Sequence, residues 1–277
     1  MKSRRLIVLL SVLAFCTLVI VLSSTLFTMK SASVNWLSNR NMLVELDENT
    51  ILNSADIPYG NSIFLVDKDE IIADIEKANP YLRVVSIETK FPNKLVLHTV
   101  ERMPFFGIKI SDGKYALVDD MCKVLEIVGE SYFTAISEST DGYEYDAPVK
   151  VMIEDYTVPQ EAYVVGEVLH SDMVVDIVKT MAYSLKESGY SATMCGGMFD
   201  EILIKKTGNN IVTTFYTDYG LEIKIDDTAN YTTDKIIQGL CHYNELHDDS
   251  IVDGTIYVWY HEGLGKPVST DNARLGQ

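Results

Sequence analysis

Cysteine is scarce in this chain, and its placement excludes more than its number does. Of four cysteines in 277 residues, Cys16 falls inside a long apolar run, leaving Cys122, Cys195 and Cys241. Three is odd and no two are close in sequence, so no disulfide framework holds the fold together. Whether any two of them pair is left open. Histidine is equally thin, with five in all. His242 and His247 stand five apart beside Cys241, Asp248 and Asp249. Residues at i and i+5 do not share a helix face and the His-Glu-x-x-His spacing is absent, so this cluster reads as structural or solvated. His98, in mid-strand, and His261, beside a turn, have no serine or cysteine partner in a triad pattern. Cys195-Gly196-Gly197 reads as a flexible turn rather than a nucleophile elbow. No glycine-rich phosphate loop follows a strand, and acidic pairs such as Asp226-Asp227 are too common here to carry information. The sequence therefore predicts no catalytic residue, no cofactor and no metal.

Positive charge is the next shortage. Of 23 Lys and Arg, Lys2, Arg4 and Arg5 precede the apolar run, so 20 remain against 40 Asp and Glu. An acidic balance of that size argues against nucleic acid and against docking on anionic lipid, both of which need basic surface. Its plain meaning is solubility.

What the chain does have is one uncharged run, Leu6–Met29. Its length suffices to cross a hydrocarbon core of about 30 Å as a helix. The preceding basic residues place the N-terminus in the cytoplasm by the positive-inside rule. Ser31-Ala32-Ser33 offers a processing site, but the run is about twice a signal-peptide h-region, which favours an uncleaved anchor. Residues 30–41 read as a juxtamembrane connector with Trp36 as an interfacial anchor. The roughly 245 residues beyond the anchor are enough for two domains.

The first domain, 42–104, is sharply punctuated. Asp67 is placed as an N-cap with Glu70 three residues on. Ile71, Ile72, Ile75 and Ala78 recur at helical spacing, and Asn79-Pro80 stops the helix. Leu82 to Phe91 alternates as a strand, with Val85, Ile87 and Phe91 on one side. Pro92-Asn93 turns the chain, and Leu95 to Arg102 returns as a second strand. Met42–Leu46 is the expected third strand and Asn53–Ile57 a short helical turn, giving β-α-α-β-β.

The second domain, 105–269, reads as mostly antiparallel β with two helices. Tyr115–Val118 and Val124–Ile127 form a hairpin around Asp119-Asp120-Met121-Cys122, and Ser137–Pro148 is a loop. A helix from Ser171 or Asp172 presents Val174, Ile177, Val178, Met181 and Leu185 and ends at Gly189. Strands follow at Glu201–Lys206, Ile211–Tyr216 and Leu221–Asp226, with hairpin turns between them. A second helix spans about Thr233–Leu246. Thr255–Tyr260 is a strong strand, apolar on both faces as in a core strand buried on both sides. Lys266–Ser269 is a short edge strand, and 270–277 reads as disordered.

These segments together resemble a family. Gly60-Asn61, Pro80-Tyr81, Pro92 to Leu95 and Glu101-Arg102-Met103-Pro104, behind a short basic tail (1–5) and one span (6–29), are similar to the bacterial division proteins FtsQ and DivIB. Leu117-Val118-Asp119 with Val124-Leu125, the Leu221–Asp226 strand, Lys235 and Gly254 extend the likeness. One departure is Cys122, where the family usually has glycine in a turn needing φ > 0. The resemblance implies an α+β fold, with an N-terminal transmembrane helix, a small POTRA-like domain and a larger β domain. It also implies a non-enzymatic, single-pass scaffold of the cell membrane at the division septum, regulating septal wall synthesis. Its implied partners are FtsB (DivIC)-like and FtsL-like membrane proteins, together with the lipid bilayer through Leu6–Met29. They would be received by the last strands, here at Gly265, Lys266, Pro267, Val268 and the neighbouring Tyr257 and Trp259. Glu101-Arg102 reads either as a solvated strand end or, with Arg102 and Pro104, as the element that fixes the angle between domains. From a different class, Tyr132, Tyr143, Tyr145 and Tyr163 suggest stacking surfaces for a wall saccharide or peptide.

Overall fold

A computed structural model describes residues 10–18, 26–38, 46–111, 113–138, 147–246 and 251–275. The chain divides into two compact units, Met1–Arg102 and Met103–Gln277.

The first unit is a three-stranded sheet in the order β1-β3-β2, with β1 at Ser31–Trp36, β2 at Leu82–Lys90 and β3 at Lys94–Glu101. Helices α1 (Glu48–Asn53) and α2 (Lys68–Ala78) complete the β-α-α-β-β order. The third strand of this sheet is Ser31–Trp36; the strand expected at Met42–Leu46 falls on residues of which 42–45 lie outside the described ones. The segment read as a connector pairs in parallel with β3, Ser31 opposite Lys94 through Trp36 opposite Thr99. Trp36 packs against the domain's core rather than serving as a free interfacial anchor. The reason is burial: β3 shows buried Leu95 and Leu97 on one face, and only a strand on its open side completes the sheet that α1 and α2 cover.

Local signals set α2 as expected. The Asp67 carboxylate accepts from the amides of Asp69 and Glu70 at 3.1 and 3.2 Å, and Ile71 and Ile75 are buried. In β2 the alternation breaks. A bulge between Val84 and Ser86 buries Val84 with Ile87 and turns Val85 out to solvent, so Val85 and Ile87 do not share one side as the alternation implied.

The membrane-span reading lies partly outside the described residues. Residues 10–18 are helical, and among the described residues no helix is long and apolar enough to cross a membrane. The end of that run is corrected. Phe27 packs on the first domain's core, Met29 is buried in it, and Thr28 bridges to Ser62.

The second unit is one mixed sheet. Its strands are β4 (Phe106–Ser111), β5 (Lys114–Val118), β6 (Val124–Gly129), β7 (Val149–Glu154), β8 (Phe199–Thr207), β9 (Asn210–Thr217), β10 (Leu221–Ile225), β11 (Ile251–His261) and β12 (Lys266–Asp271). Their spatial order is β12-β11-β10-β9-β8-β7-β4-β5-β6, with β13 (Arg274–Leu275) also paired to β11. Most neighbours are antiparallel; β4 with β7, β7 with β8 and β10 with β11 are parallel. Parallel neighbours need crossovers, and these carry more helix than the sequence suggested. To the two long helices, α4 (Asp172–Glu187) and α6 (Thr232–Leu246), the described residues add α3 (Ser131–Glu138) and α5 (Ala192–Met198). Cys195-Gly196-Gly197 is thus helical rather than a turn, and the first residues assigned to the 137–148 loop end α3.

The core between helices and sheet takes in Val174, Val178, Met181 and Leu185 of α4 against Phe199, Phe215 and Ile223. Gly239 lets α6 lie close on the sheet. A Cβ there would stand 2.7 Å from Ile223 Cγ2 and 3.2 Å from Val258 Cγ2. Cys122, at the position where the resembled family has glycine, takes φ +60. The Asp119 carboxylate organises its turn, accepting from the amides of Met121 at 3.0 Å and Lys123 at 2.8 Å.

All four cysteines are free thiols. Burial pushes Cys122 and Cys195 up to about 12, while Cys241 is exposed. Of the three cysteines beyond the apolar run, Cys241 alone is expected to be alkylated quickly at pH 8, the other two only after denaturation. Titration with a thiol reagent before and after adding guanidinium checks this; fast labelling of Cys122 in the native protein would contradict it.

Candidate interaction edge

The end of the sheet is built by β11, β12 and α6. β12 is antiparallel to β11, with Tyr257 opposite Thr270, Trp259 opposite Val268, Tyr260 opposite Pro267 and His261 opposite Lys266. The two faces of β11 differ sharply. Ile256 and Val258 are buried toward the helices, while Tyr257 and Trp259 are 40% and 37% exposed. The strand is therefore not buried on both sides; its second aromatic face is open to water.

α6 braces β12 from the covered face. His242 shares hydrogen bonds with Ser269 Oγ at 2.8 Å and Asp271 Oδ2 at 3.0 Å, and Gln238 Nε2 donates to Ser269 Oγ at 3.0 Å. His242 is thus a structural brace, whereas its sequence neighbour His247 lies outside the described residues. Among the described residues no group of three His, Cys, Asp or Glu stands close enough to hold a metal. Gly265 takes φ +63 and closes the turn into β12, its amide donating to the His261 and Glu262 carbonyls at 2.9 and 3.1 Å. Pro267 removes one donor from the terminal strand, a common way to blunt an edge.

Residues 270–275 are ordered, contrary to the expectation of a disordered tail; only 276 and 277 lie outside the described residues. Thr270 and Asp271 belong to β12, Thr255 donates to Asn272 Oδ1 at 2.7 Å, and Arg274–Leu275 pairs back on β11. Gly254, at φ +154, makes room for this return, since a Cβ would lie 2.6 Å from Ala273 Cα. The sequence showed the strand but not the return, because 270–275 carries no apolar period.

The remaining candidates are dispersed. Arg102 is no solvated strand end. Its side chain is buried and forms an ion pair with Glu76 at 2.6 Å, with Nε donating to Leu82 O at 3.1 Å. Pro104 lies in the extended stretch before β4. Of the tyrosines read as stacking surfaces, Tyr163 is a buried core residue, while Tyr143 and Tyr145 lie outside the described residues.

The described residues thus form a small β-α-α-β-β domain and a larger sheet domain with a braced terminal strand. Residues 41–102 match the POTRA domain of the FtsQ type. The chain is 35% identical over 83 residues to cell division protein DivIB of Clostridium botulinum strain Hall, covering 30% of this chain and 32% of that protein. It is 32% identical over 90 residues to cell division protein DivIB of Clostridium tetani, covering 30% of this chain and 33% of that protein. The chain thus matches about a third of the length of these relatives. Together these matches bear out the resemblance over the first domain: it matches the FtsQ-type POTRA domain, and this part of the chain is similar to DivIB division proteins.

Proposed function

We propose that this protein is a non-enzymatic, membrane-anchored division scaffold, with its two domains outside the cell membrane at the septum. In this reading Leu6–Met29 supplies the anchor, its last residues passing into the first domain. The β11–β12 end of the sheet gathers FtsB/DivIC-like and FtsL-like membrane partners and so influences septal wall synthesis. One observation carries it: a terminal strand beside an open aromatic face, at the far end of a chain whose POTRA domain is of the division type. A partner strand added to β12 would gain backbone hydrogen bonds, and Tyr257, Trp259 and Val268 would supply side-chain contacts. Lys266, Pro267 and Gly265 set where that edge begins. Anchoring in two dimensions raises the effective concentration of weak partners.

Deleting Lys266–Gln277 is a poor test, since it removes β12 and the partners of His242. Exposed side chains are the better target. Tyr257→Ala with Trp259→Ala is expected to reduce co-purification of FtsB-like and FtsL-like partners at least tenfold, with folding stability changed by about 1 kcal/mol or less. Undiminished co-purification by a folded double variant would sink the edge assignment.

A further inference from the structure

Three phenylalanines from separate parts of the chain meet at one end of the first domain. Phe27 lies near the end of the apolar run, Phe64 comes from the short turn Ile63–Leu65, and Phe91 ends the β2 side of the hairpin. Their ring centroids lie 5.3, 5.6 and 6.1 Å apart. Such a cluster belongs in a core, yet Phe64 and Phe91 are 63% and 62% exposed, with Leu65 at 84% and Leu26 at 53%. Large contiguous apolar surface on a strongly acidic protein marks an interaction site.

The charge beside it is of the other sign. Lys90 and Lys94 face each other across the hairpin, and Lys94 is also opposite Ser31. Lys30 joins them, its amide donating to Asn93 O at 2.9 Å in the same turn. Like charges directly opposite across strands cost stability. The acidic group near them is Glu88, 3.8 Å from Lys90. Exposed aromatics ringed by lysine are suited to a bilayer surface, with rings at the acyl boundary and ammonium groups at the phosphates.

The path of the chain selects lipid over other partners. Met29 donates to Asn61 O at 2.8 Å, Gly60 to Met29 O at 3.0 Å and Ile63 to Phe27 O at 2.9 Å. Residues 27–29, the end of the apolar run, are thereby fixed to the loop that carries Phe64. Where that run enters a membrane, the patch at its end lies within a few residues of the membrane surface.

We infer that the Phe27, Phe64 and Phe91 end of the first domain docks on the bilayer, with Lys30, Lys90 and Lys94 taking anionic headgroups. The domain is then a foot seated on the membrane rather than a module on a tether. This rests on the reading of Leu6–Met29 as an anchor. It also revises the argument from total charge: a chain with net charge −17 concentrates lysine where lipid would be met.

The test uses the full chain, with Cys16→Ser and Cys241→Ser, reconstituted in phosphatidylethanolamine–phosphatidylglycerol vesicles. A spin label is placed at Leu65→Cys and, for comparison, at Ala78→Cys near the far end of α2. The label at 65 is expected to be accessible to oxygen and shielded from a water-soluble nickel chelate, and the label at 78 the reverse. Phe64→Ser with Phe91→Ser, or Lys90→Glu with Lys94→Glu, should bring the label at 65 to the nickel accessibility seen at 78. Equal nickel accessibility at both positions in the unsubstituted chain overturns docking. So does shielding that disappears at low protein-to-lipid ratio, which would assign the patch to a second copy. Carbonate extraction of the same vesicles reads the anchor separately: retained protein with a water-exposed label defeats docking alone, and released protein defeats the anchor.

Discussion

Replacing Arg102 with alanine is expected to destabilise the first domain by about 3 kcal/mol, because it leaves a largely buried carboxylate without its partner. Arg102 closes the end of β3 onto two other elements. Its guanidinium pairs with Glu76 of α2 and donates to Leu82 O of β2, while its amide donates to Tyr81 O at 2.7 Å. Glu76 is committed in turn, its other oxygen accepting from the Val84 amide at 2.9 Å. Loss of a buried ion-pair partner costs about 3–5 kcal/mol, and the partial exposure of Glu76 argues for the lower end. Arg102→Lys should recover part of the loss, since an ammonium cannot reach both acceptors in the fork geometry of guanidinium. The two tryptophans make the measurement specific: Trp36 lies in the first unit and Trp259 in the second. Urea unfolding followed through Trp36 in a Trp259→Phe background should shift, while the Trp259 signal in a Trp36→Phe background should stay. A shift below about 1 kcal/mol would mean that the pair is solvent-screened.

Lys235→Met is the corresponding experiment in the second domain, with an expected loss of about 2–3 kcal/mol. Lys235 is buried at the start of α6, and its ammonium donates to the carbonyls of Asp226 and Asp227 at 2.8 and 2.6 Å. Those carbonyls follow directly on β10, and Asp227 is held at φ +47. Methionine keeps the alkyl packing but leaves two carbonyls without their donor. The adjoining segment carries Tyr231, stacked on Tyr260 with ring centroids 3.9 Å apart, so the substitution should also loosen the rim beside Trp259. Desolvation by burial lowers the Lys235 pKa, opposed by the charges of Asp227 and Asp226. A lysine whose folded pKa is lowered binds fewer protons folded than unfolded between the two values. Stability from this group therefore rises with pH as it approaches the unfolded value of about 10.5. The methionine variant should lack that rise, which a pair of urea series at pH 8 and 10 would reveal.

Short-range chemistry was legible where it acts within a few residues. Asp67 capping α2, Asn79-Pro80 ending it and the hairpin turn between β8 and β9 are all local, and each lies where the sequence placed it. The β12 edge was legible as a strand but not as a braced one, because its partners on α6 are nearly thirty residues away. Val85 misled for a related reason: a bulge changes the face of every later residue without leaving a mark in composition. Burial of Arg102 was missed because an ion pair across 26 residues has no local signature.

By itself, the sequence determined the plan of the chain: an apolar run, a punctuated β-α-α-β-β domain and a β-rich second domain. Those follow from periodicity, capping and turn chemistry, which act along the chain. Only the tertiary structure decided that Ser31–Trp36 is the third strand, that Met29 belongs to a domain core, and that Tyr257 and Trp259 face water. It alone gathered Phe27, Phe64 and Phe91 beside three lysines. Strand pairing, facing and patch formation join residues tens of positions apart, and such contacts are selected by what the folded chain buries rather than by any neighbour in sequence.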